Sequence, residues 1–504
     1  MHSVVATRPV LPRSWRHPVF TLRNYWVALF AILVALLLAR LASPLLARTD
    51  LFFDEAQYWL WSRELEFGYF SKPPLIAWII RLATEICGNG EWCVRAASPI
   101  LYTLTPVFVF LAARRLYDER IAFWSGIGFA TLPGTALSSL IISTDVPLLL
   151  CWSIAFYGWV RLVERRDMAD ALLVGLALGA GLLAKYAALY FVLCAAVDAF
   201  TDRRAREALS DGRGFVIVGV ALAVVTPNLA WNATHGFATV SHTAANASWS
   251  TLPIHVGSAL EFLASQFAVF GPILFAAFLV VALRIFRQGG DEPARRLLIF
   301  SAPVLVLIVM QALLSRAHAN WAAVAYPTAT ILVTASLLRH RPRLFRISFG
   351  LHLAAAMLIT VGPLFAPHLT QLLGPERSPY ARVLGWRELA ETTERLAAER
   401  GARTVLTDTR EVAAELLYYL RGSALPIFIW PRGGAPRNHF EMTHPFDART
   451  PGPLLYVPIN RGSTAVPGSF RSSVPLATIG FPPAAPVRDV RFYLLKGYRH
   501  ENRH

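Results

Sequence analysis

The chain predicts an all-α polytopic membrane domain with outward amphipathic helices, followed by a small α/β domain. Three observations predict it. Of the 504 residues, 55% are hydrophobic and 16% charged, a balance that excludes an ordinary soluble protein of this length. The apolar residues gather in runs of about 17 to 25, the length a helix needs to cross ~30 Å of hydrocarbon. Between those runs, short arginine clusters occupy alternate connections, which is the signature of membrane topology rather than of a nucleic-acid-binding face, despite a formal net charge of +16.

Residues 1–24 form a tail carrying Arg8, Arg13, Arg16 and Arg23. The apolar run behind it has no small-residue cleavage site, so it is expected to stay as a first helix rather than leave as a signal peptide. Spans are expected at 25–42, 99–115, 120–137, 146–160, 171–184, 187–200, 214–230, 258–283, 297–314, 320–338 and 346–366, about eleven in all. The arginine-rich connections, such as Arg203/Arg204/Arg206/Arg213 and Arg339/Arg341/Arg343/Arg346, are then cytoplasmic together with the N-terminus. The other connections, and everything after residue 366, face outward.

The membrane domain runs from 25 to 370 and includes a first outward loop at 43–98, where 54–66 and 74–85 read as short amphipathic helices lying in the interface. Residues 371–504 read as the outward α/β domain, with helices at Trp386–Arg400 and Val412–Leu420 and strands at Thr404–Asp408, Ile427–Trp430 and Leu454–Val457. There is no internal repeat, glycine-rich phosphate loop or zinc-type Cys/His spacing. Cys151 and Cys194 fall within spans as small packing residues, whereas Cys87 and Cys93 share the first outward loop, where a disulfide and two free thiols both remain open.

Ionisable groups beside apolar helices are costly, so their positions are the best guide to function. After the first span, Asp54 and Glu55 stand together among aromatics at the membrane edge. One of them suits the N-terminus of a helix, and a carboxylate partly desolvated there also suits a general base. Against 45 arginines there are three lysines, and two of them, Lys72 and Lys185, fall at outward boundaries. A lysine is a compact point charge that can answer a phosphate without bidentate geometry, or else snorkel to the headgroups. Asp145 opens a span, where capping and function are equally open. His235, His242, Arg316 and His318 occupy two further outward connections. The common side of all these groups points to one outward-facing site assembled from many helices.

The residues Phe53-Asp54-Glu55-x-x-Tyr58, Tyr69-Phe70-Ser71-Lys72-Pro73-Pro74, Glu91-x-x-Val94-Arg95, Thr144-Asp145-x-Pro147, Lys185, Trp231-Asn232-x-x-His235-Gly236-Phe237 and Arg316-x-His318-x-Asn320-Trp321 resemble the bacterial protein-mannosyltransferase-like and aminoarabinose-transferase-like GT-C glycosyltransferases. The resemblance spans roughly residues 50–330. It implies a GT-C membrane fold and an inner-membrane enzyme that moves a sugar from a polyprenyl phosphate to lipid A, another surface glycan or a protein. It further implies Asp54 as general base with Glu55 and Asp145 in the catalytic group. Lys72, Lys185 and Arg316 are implied at the lipid phosphate, and Tyr58, Tyr69, Arg95, His235, His242 and His318 around the pocket. In aminoarabinose transferases an acidic residue that helps bind a metal precedes the lysine of the second motif, and here that place is Ser71, so a divalent metal stays an open question and no other cofactor is implied. Two other readings stay open: protein O-glycosylation by the same chemistry, and a flippase that uses the lysines without chemistry. Membrane lipids, but no nucleic acid, are expected partners.

Overall fold

The computed structural model describes residues 22–47, 49–247, 254–374, 376–458, 465–480 and 489–499. Most of the N-terminal tail, with Arg8, Arg13 and Arg16, lies outside them. The first apolar run is helix α1 (Leu22–Leu46). The two amphipathic stretches are α2 (Phe53–Arg63) and α3 (Leu75–Cys87), and a disulfide from Cys87 to Cys93 ties α3 to α4 (Glu91–Leu116).

The span expected at 120–137 is two helices, α5 (Glu119–Ala130) and α6 (Pro133–Ser138). Leu132 leaves helical geometry at ψ 137°, as a residue ahead of proline tends to do, and Pro133 has no N–H to continue the α5 ladder. Next come α7 (Asp145–Arg165), α8 (Met168–Ala184), a 3-10 turn at Tyr186–Ala188, α9 (Leu189–Thr201), α10 (Arg203–Ala208), α11 (Arg213–Thr234) and α12 (Ala238–Ala247). The single span expected at 258–283 is also corrected. It is α13 (Val256–Val269) and α14 (Pro272–Gln288), bent by 116°, because Gly271 takes φ 91° immediately before Pro272. The remaining membrane helices are α15 (Glu292–Ile299), α16 (Ala302–Leu314), α17 (Tyr326–His340) behind a 3-10 turn at Ala319–Ala325, α18 (Pro342–Val361) and α19 (Ala366–Leu373).

Seven helical stretches among the described residues are long and apolar enough to cross a membrane, and the bent α13–α14 pair makes an eighth. With the shorter apolar α8 and α9 and the broken α5–α6, each of the eleven expected runs is helical. The arginine-rich ends are knitted by buried ion pairs. Arg296 Nε lies 2.8 Å from Asp198 Oδ2 and its Nη2 2.7 Å from Asp202 Oδ2, while Trp159 Nε1 donates to the same Asp198 oxygen at 2.8 Å. This network joins α7, α9 and α15, and it satisfies charges that would be prohibitively costly alone in an apolar bundle.

The C-terminal region contains α20 (Trp386–Arg400), β1 (Thr404–Thr407), α21 (Arg410–Tyr419), β2 (Ile427–Ile429), α22 (His439–Thr443), β3 (Leu454–Tyr456), α23 (Ala465–Gly468), β4 (Phe470–Gly480) and β5 (Asp489–Tyr498). The sheet order is β2-β1-β3-β5-β4. The β1 strand is parallel to both β2 (Val405 beside Ile427) and β3 (Val405 beside Leu455), and β5 is antiparallel to β3 and β4. Leu389, Val405, Leu416, Leu455 and Phe492 form a core for this unit. The membrane domain's own core nevertheless continues into it through Ala413, Ala414, Tyr418, Ile429 and Phe440. Trp59 of α2 meets Tyr418 edge-to-face at 4.9 Å, the Tyr419 hydroxyl accepts from Leu51 N at 3.0 Å, and Asp50 Oδ2 accepts from Trp386 N at 2.8 Å. The domain is therefore docked on the first loop rather than hung beside it.

Candidate active site

Helix α2 begins at Phe53, so Asp54 sits in its first turn, where the helix N-terminus favours a carboxylate. Its neighbour Glu55 turns inward. Both Glu55 oxygens are taken by Arg95, with Nη2 at 2.6 Å and Nε at 3.0 and 3.1 Å, and they also accept from Phe52 N and Ile142 N, each at 2.9 Å. The pair is 1% and 3% exposed. Arg95 in turn donates to Asp50 O at 2.6 Å and Thr49 Oγ1 at 3.0 Å. Glu55 thereby holds α2, α4 and the strand of chain leading into α7 in fixed relation, which sets where Asp54 stands relative to Asp145.

Asp145 opens α7 without capping it by its side chain. Its Oδ1 lies 2.7 Å from Lys185 Nζ, and its Oδ2 accepts from Asn320 Nδ2 at 2.6 Å. Lys185 is the extended residue (φ −164°, ψ 135°) that breaks α8 from the following turn, so its side chain leaves the helix stack at the level of Asp145. The chain continues into Tyr186, whose hydroxyl donates to Asn228 Oδ1 at 2.8 Å.

The loop from 64 to 74 delivers Lys72. Asn228 Nδ2 donates to Phe67 O at 2.7 Å, Thr239 Oγ1 to Tyr69 O at 2.6 Å, and Tyr69 N to Lys72 O at 3.1 Å. A side chain at Gly68 would meet the Trp231 ring at 2.3 Å, so only glycine lets the loop pack this closely. Tyr69 itself is buried, stacked on Trp61 at 4.6 Å with its hydroxyl donating to Trp61 O at 2.8 Å. Among the described residues the Lys72 ammonium has no hydrogen-bond acceptor. Burial and the neighbouring charge of Lys185 push its pKa down to about 8, against the opposing pull of Asp54 and Asp145.

Two histidines border this cationic patch. His242, in ring contact with Phe70 at 5.5 Å, is shifted down by burial and by Lys72 and Arg410. His318 is shifted down by burial and then by Arg316, Lys185, Arg382 and Lys72. The buried ring of Tyr58 feels both Asp54 and Asp145. The structure thus brings together Asp54, Tyr58, Lys72, Asp145, Lys185, His242, Arg316 and His318. It turns Glu55, Arg95 and Tyr69 into the scaffold beneath them, because these three are fully buried and their polar atoms are already bonded. His235 stands apart as an exposed residue at the end of α11, stacked on Trp231 at 4.1 Å. Among the described residues no three His, Cys, Asp or Glu side chains converge as a metal site, and Ser71 supplies no carboxylate beside Lys72.

One participant was not legible in the sequence. Arg410, the first residue of α21, donates through Nη1 to Asp54 Oδ1 at 2.9 Å and to Gln57 Oε1 at 3.2 Å, with its guanidinium 4.8 Å from the centre of the Phe53 ring. Nothing local marks one arginine among 45, and the contact spans 356 residues of sequence.

The lipid A galacturonosyltransferase RgtD of Rhizobium johnstonii is 38% identical over 413 residues, covering 81% of this chain and 86% of that protein. The chain belongs to the GT-C glycosyltransferase family. The family model described as dolichyl-phosphate-mannose-protein mannosyltransferase matches residues 71–231, the stretch of this GT-C chain that holds Lys72, Asp145 and Lys185. Crystal structures of ArnT from Cupriavidus metallidurans share the GT-C fold with it. The apo form gives a TM-score of 0.65 at 16% identity over 94% of this chain and 98% of ArnT, and the form bound to undecaprenyl phosphate gives 0.64 at 18% over 93% and 98%.

Proposed function

We propose that this GT-C protein transfers a uronic acid, galacturonic acid in the first instance, from a polyprenyl phosphate to lipid A on the periplasmic face of the inner membrane. The observation that carries this reading is the Lys72 ammonium, unanswered among the described residues beside the Asp145–Lys185 pair and Asp54. Such a charge suits a phosphate that arrives with the substrate. The relative that is 38% identical across four fifths of the chain supports the sugar and the acceptor by its name. The arginine-rich connections at the opposite helix ends support the orientation.

In this mechanism the acceptor hydroxyl attacks the anomeric carbon as the bond from that carbon to the phosphate oxygen breaks. Asp54 takes the hydroxyl proton, and the electron pair of the broken bond stays on the polyprenyl phosphate, whose charge Lys72 balances with Lys185 and Arg316 nearby. A single displacement inverts the anomeric centre. Asp145, held by Lys185 and Asn320, keeps the lysine in place, and Glu55 serves the geometry of the site rather than the proton.

The test is transfer by purified protein in detergent, using galacturonosyl and other polyprenyl-phosphate sugars with lipid A. The native protein should release polyprenyl phosphate with glycosylated lipid A, and Asp54→Asn should lower kcat by about 1,000-fold or more while donor binding persists. Movement of labelled donor across proteoliposomes without any transfer would replace the enzyme by a flippase.

A further inference from the structure

The proposed chemistry meets one contact directly. Arg410 Nη1 donates to Asp54 Oδ1 at 2.9 Å, so one oxygen of the proposed base is held by a guanidinium before substrate arrives. An anion that comes with the substrate can compete with Asp54 for that guanidinium.

We infer that Arg410 reads the carboxylate of the uronosyl donor, exchanging Asp54 for it. The identity of the sugar in this inference rests on the proposed function. Three features carry it. First, among the described residues the hydrogen bonds that Arg410 makes run from Nη1 alone, to Asp54 and Gln57, which leaves the Nε and Nη2 edge of the fork open to a ligand. That edge is the geometry that accepts a carboxylate bidentately. Second, the other cations differ in kind or position: Lys185 is already paired with Asp145 at 2.7 Å, Lys72 is a point charge suited to phosphate, and Arg316 stands beside His318. In a single displacement the anomeric carbon lies between the phosphate oxygen and the hydroxyl beside Asp54, so the sugar ring that carries the carboxylate stands beside Asp54 and its partner Arg410.

Third, Arg410 is rigidly delivered. It starts α21, whose Tyr418 donates to Asn89 O at 2.8 Å and packs on Trp59, and its own guanidinium lies over Phe53. A uronosyl donor adds one negative charge to a site already holding Asp54 and Asp145, and it needs a cation to offset that repulsion. Once the donor's carboxylate takes Arg410, Asp54 Oδ1 is released toward the acceptor. Sugar choice and base release are then one event, and the C-terminal domain supplies the sugar-reading residue.

The test compares two polyprenyl-phosphate donors that differ only at C6, galacturonosyl and galactosyl, with the full-length native protein, Arg410→Ala, Arg410→Gln and Arg410→Lys. Binding and transfer are both measured, and thermal unfolding establishes that each variant is folded. The native protein should bind the galacturonosyl donor at least about 30-fold more tightly, and Arg410→Ala and Arg410→Gln should lower the galacturonosyl-to-galactosyl ratio in kcat/KM by about 100-fold, chiefly through donor KM. Arg410→Lys should recover part of the ratio. An equal fall with both donors, an unchanged ratio, or a rise confined to the KM for lipid A would overturn the inference. If neither donor is transferred but the native binding preference disappears in Arg410→Ala, the proposed function has failed and the inference stands. If the native protein shows no binding preference, the inference fails whatever the transfer result.

Discussion

Lys185 Nζ meets Asp145 Oδ1 at 2.7 Å across two helix ends that are 40 residues apart in sequence. The lysine is 19% exposed and the aspartate 7%, so the pair is largely withdrawn from water and each charge depends on the other. Removing one partner leaves an uncompensated charge, and removing both does not.

The two positions are therefore expected to couple. Lys185→Met and Asp145→Asn should each lower kcat/KM for the donor by about 100-fold, and the double variant should lose far less than the product. A coupling energy of about 1–3 kcal/mol is expected from a double-mutant cycle in steady-state kinetics. Strict additivity would mean that the two residues act separately.

Lys72 gives the site a pH dependence with opposite signs for binding and stability. Its folded pKa is lowered to about 8 from 10.5 by burial and Lys185, so the ammonium is lost as pH rises through about 8. Donor KM should climb roughly tenfold per pH unit above that point, and Lys72→Arg should move the limb beyond the accessible range. The unfolded chain keeps the proton up to about 10.5, so between these values it binds more protons than the folded state and stability rises with pH. Lys72→Met should accordingly raise the unfolding temperature at pH 7 while raising donor KM about 100-fold, as read by thermal unfolding and donor titration.

Glu55 and Arg95 test scaffold against chemistry. Glu55→Gln or Arg95→Ala breaks a buried pair bonded at 2.6 Å and should cost about 3–5 kcal/mol. Glu55→Met with Arg95→Met should recover much of that stability in detergent unfolding. A Glu55→Gln protein of native stability that has lost all turnover would return Glu55 to the chemistry.

Glu415 of α21 is fully buried, and among the described residues neither carboxyl oxygen has a hydrogen-bond partner. Burial and the nearby charges of Asp50 and Glu55 push its pKa well above the ordinary carboxylate value. A raised folded pKa means that stability is present at low pH and is lost as pH rises through it. Glu415→Met should raise stability by about 1–3 kcal/mol near neutral pH and flatten the fall that sets in as pH rises above the ordinary carboxylate range, measured as unfolding temperature against pH.

Much of this was legible because it is local. An apolar run of membrane length forms a helix wherever it lies, since backbone polar groups in hydrocarbon have no other partner. That is why the eleven runs, α2, α3, α20 and α21 could be read directly. Strands β4 and β5 could not, because their pairing, as between Phe470 and Tyr498, is set by a partner strand rather than by their own pattern. The breaks at Leu132–Pro133 and Gly271–Pro272 were written in the residues but hidden by the hydrophobicity around them.

The same division holds for the site. The sequence by itself determined the membrane fold, the side on which polar residues gather, and Asp54, Lys72, Asp145 and Lys185 as the groups to examine, because an ionisable residue beside an apolar helix is costly enough to stand out alone. Only the tertiary structure decided what each does with its charge. Glu55 and Asp54 are adjacent in the chain, yet one is bound by Arg95, 40 residues on, and the other by Arg410, 356 residues on. A carboxylate's role follows from the cation and water around it, and those are set by helices that meet only when the chain is folded.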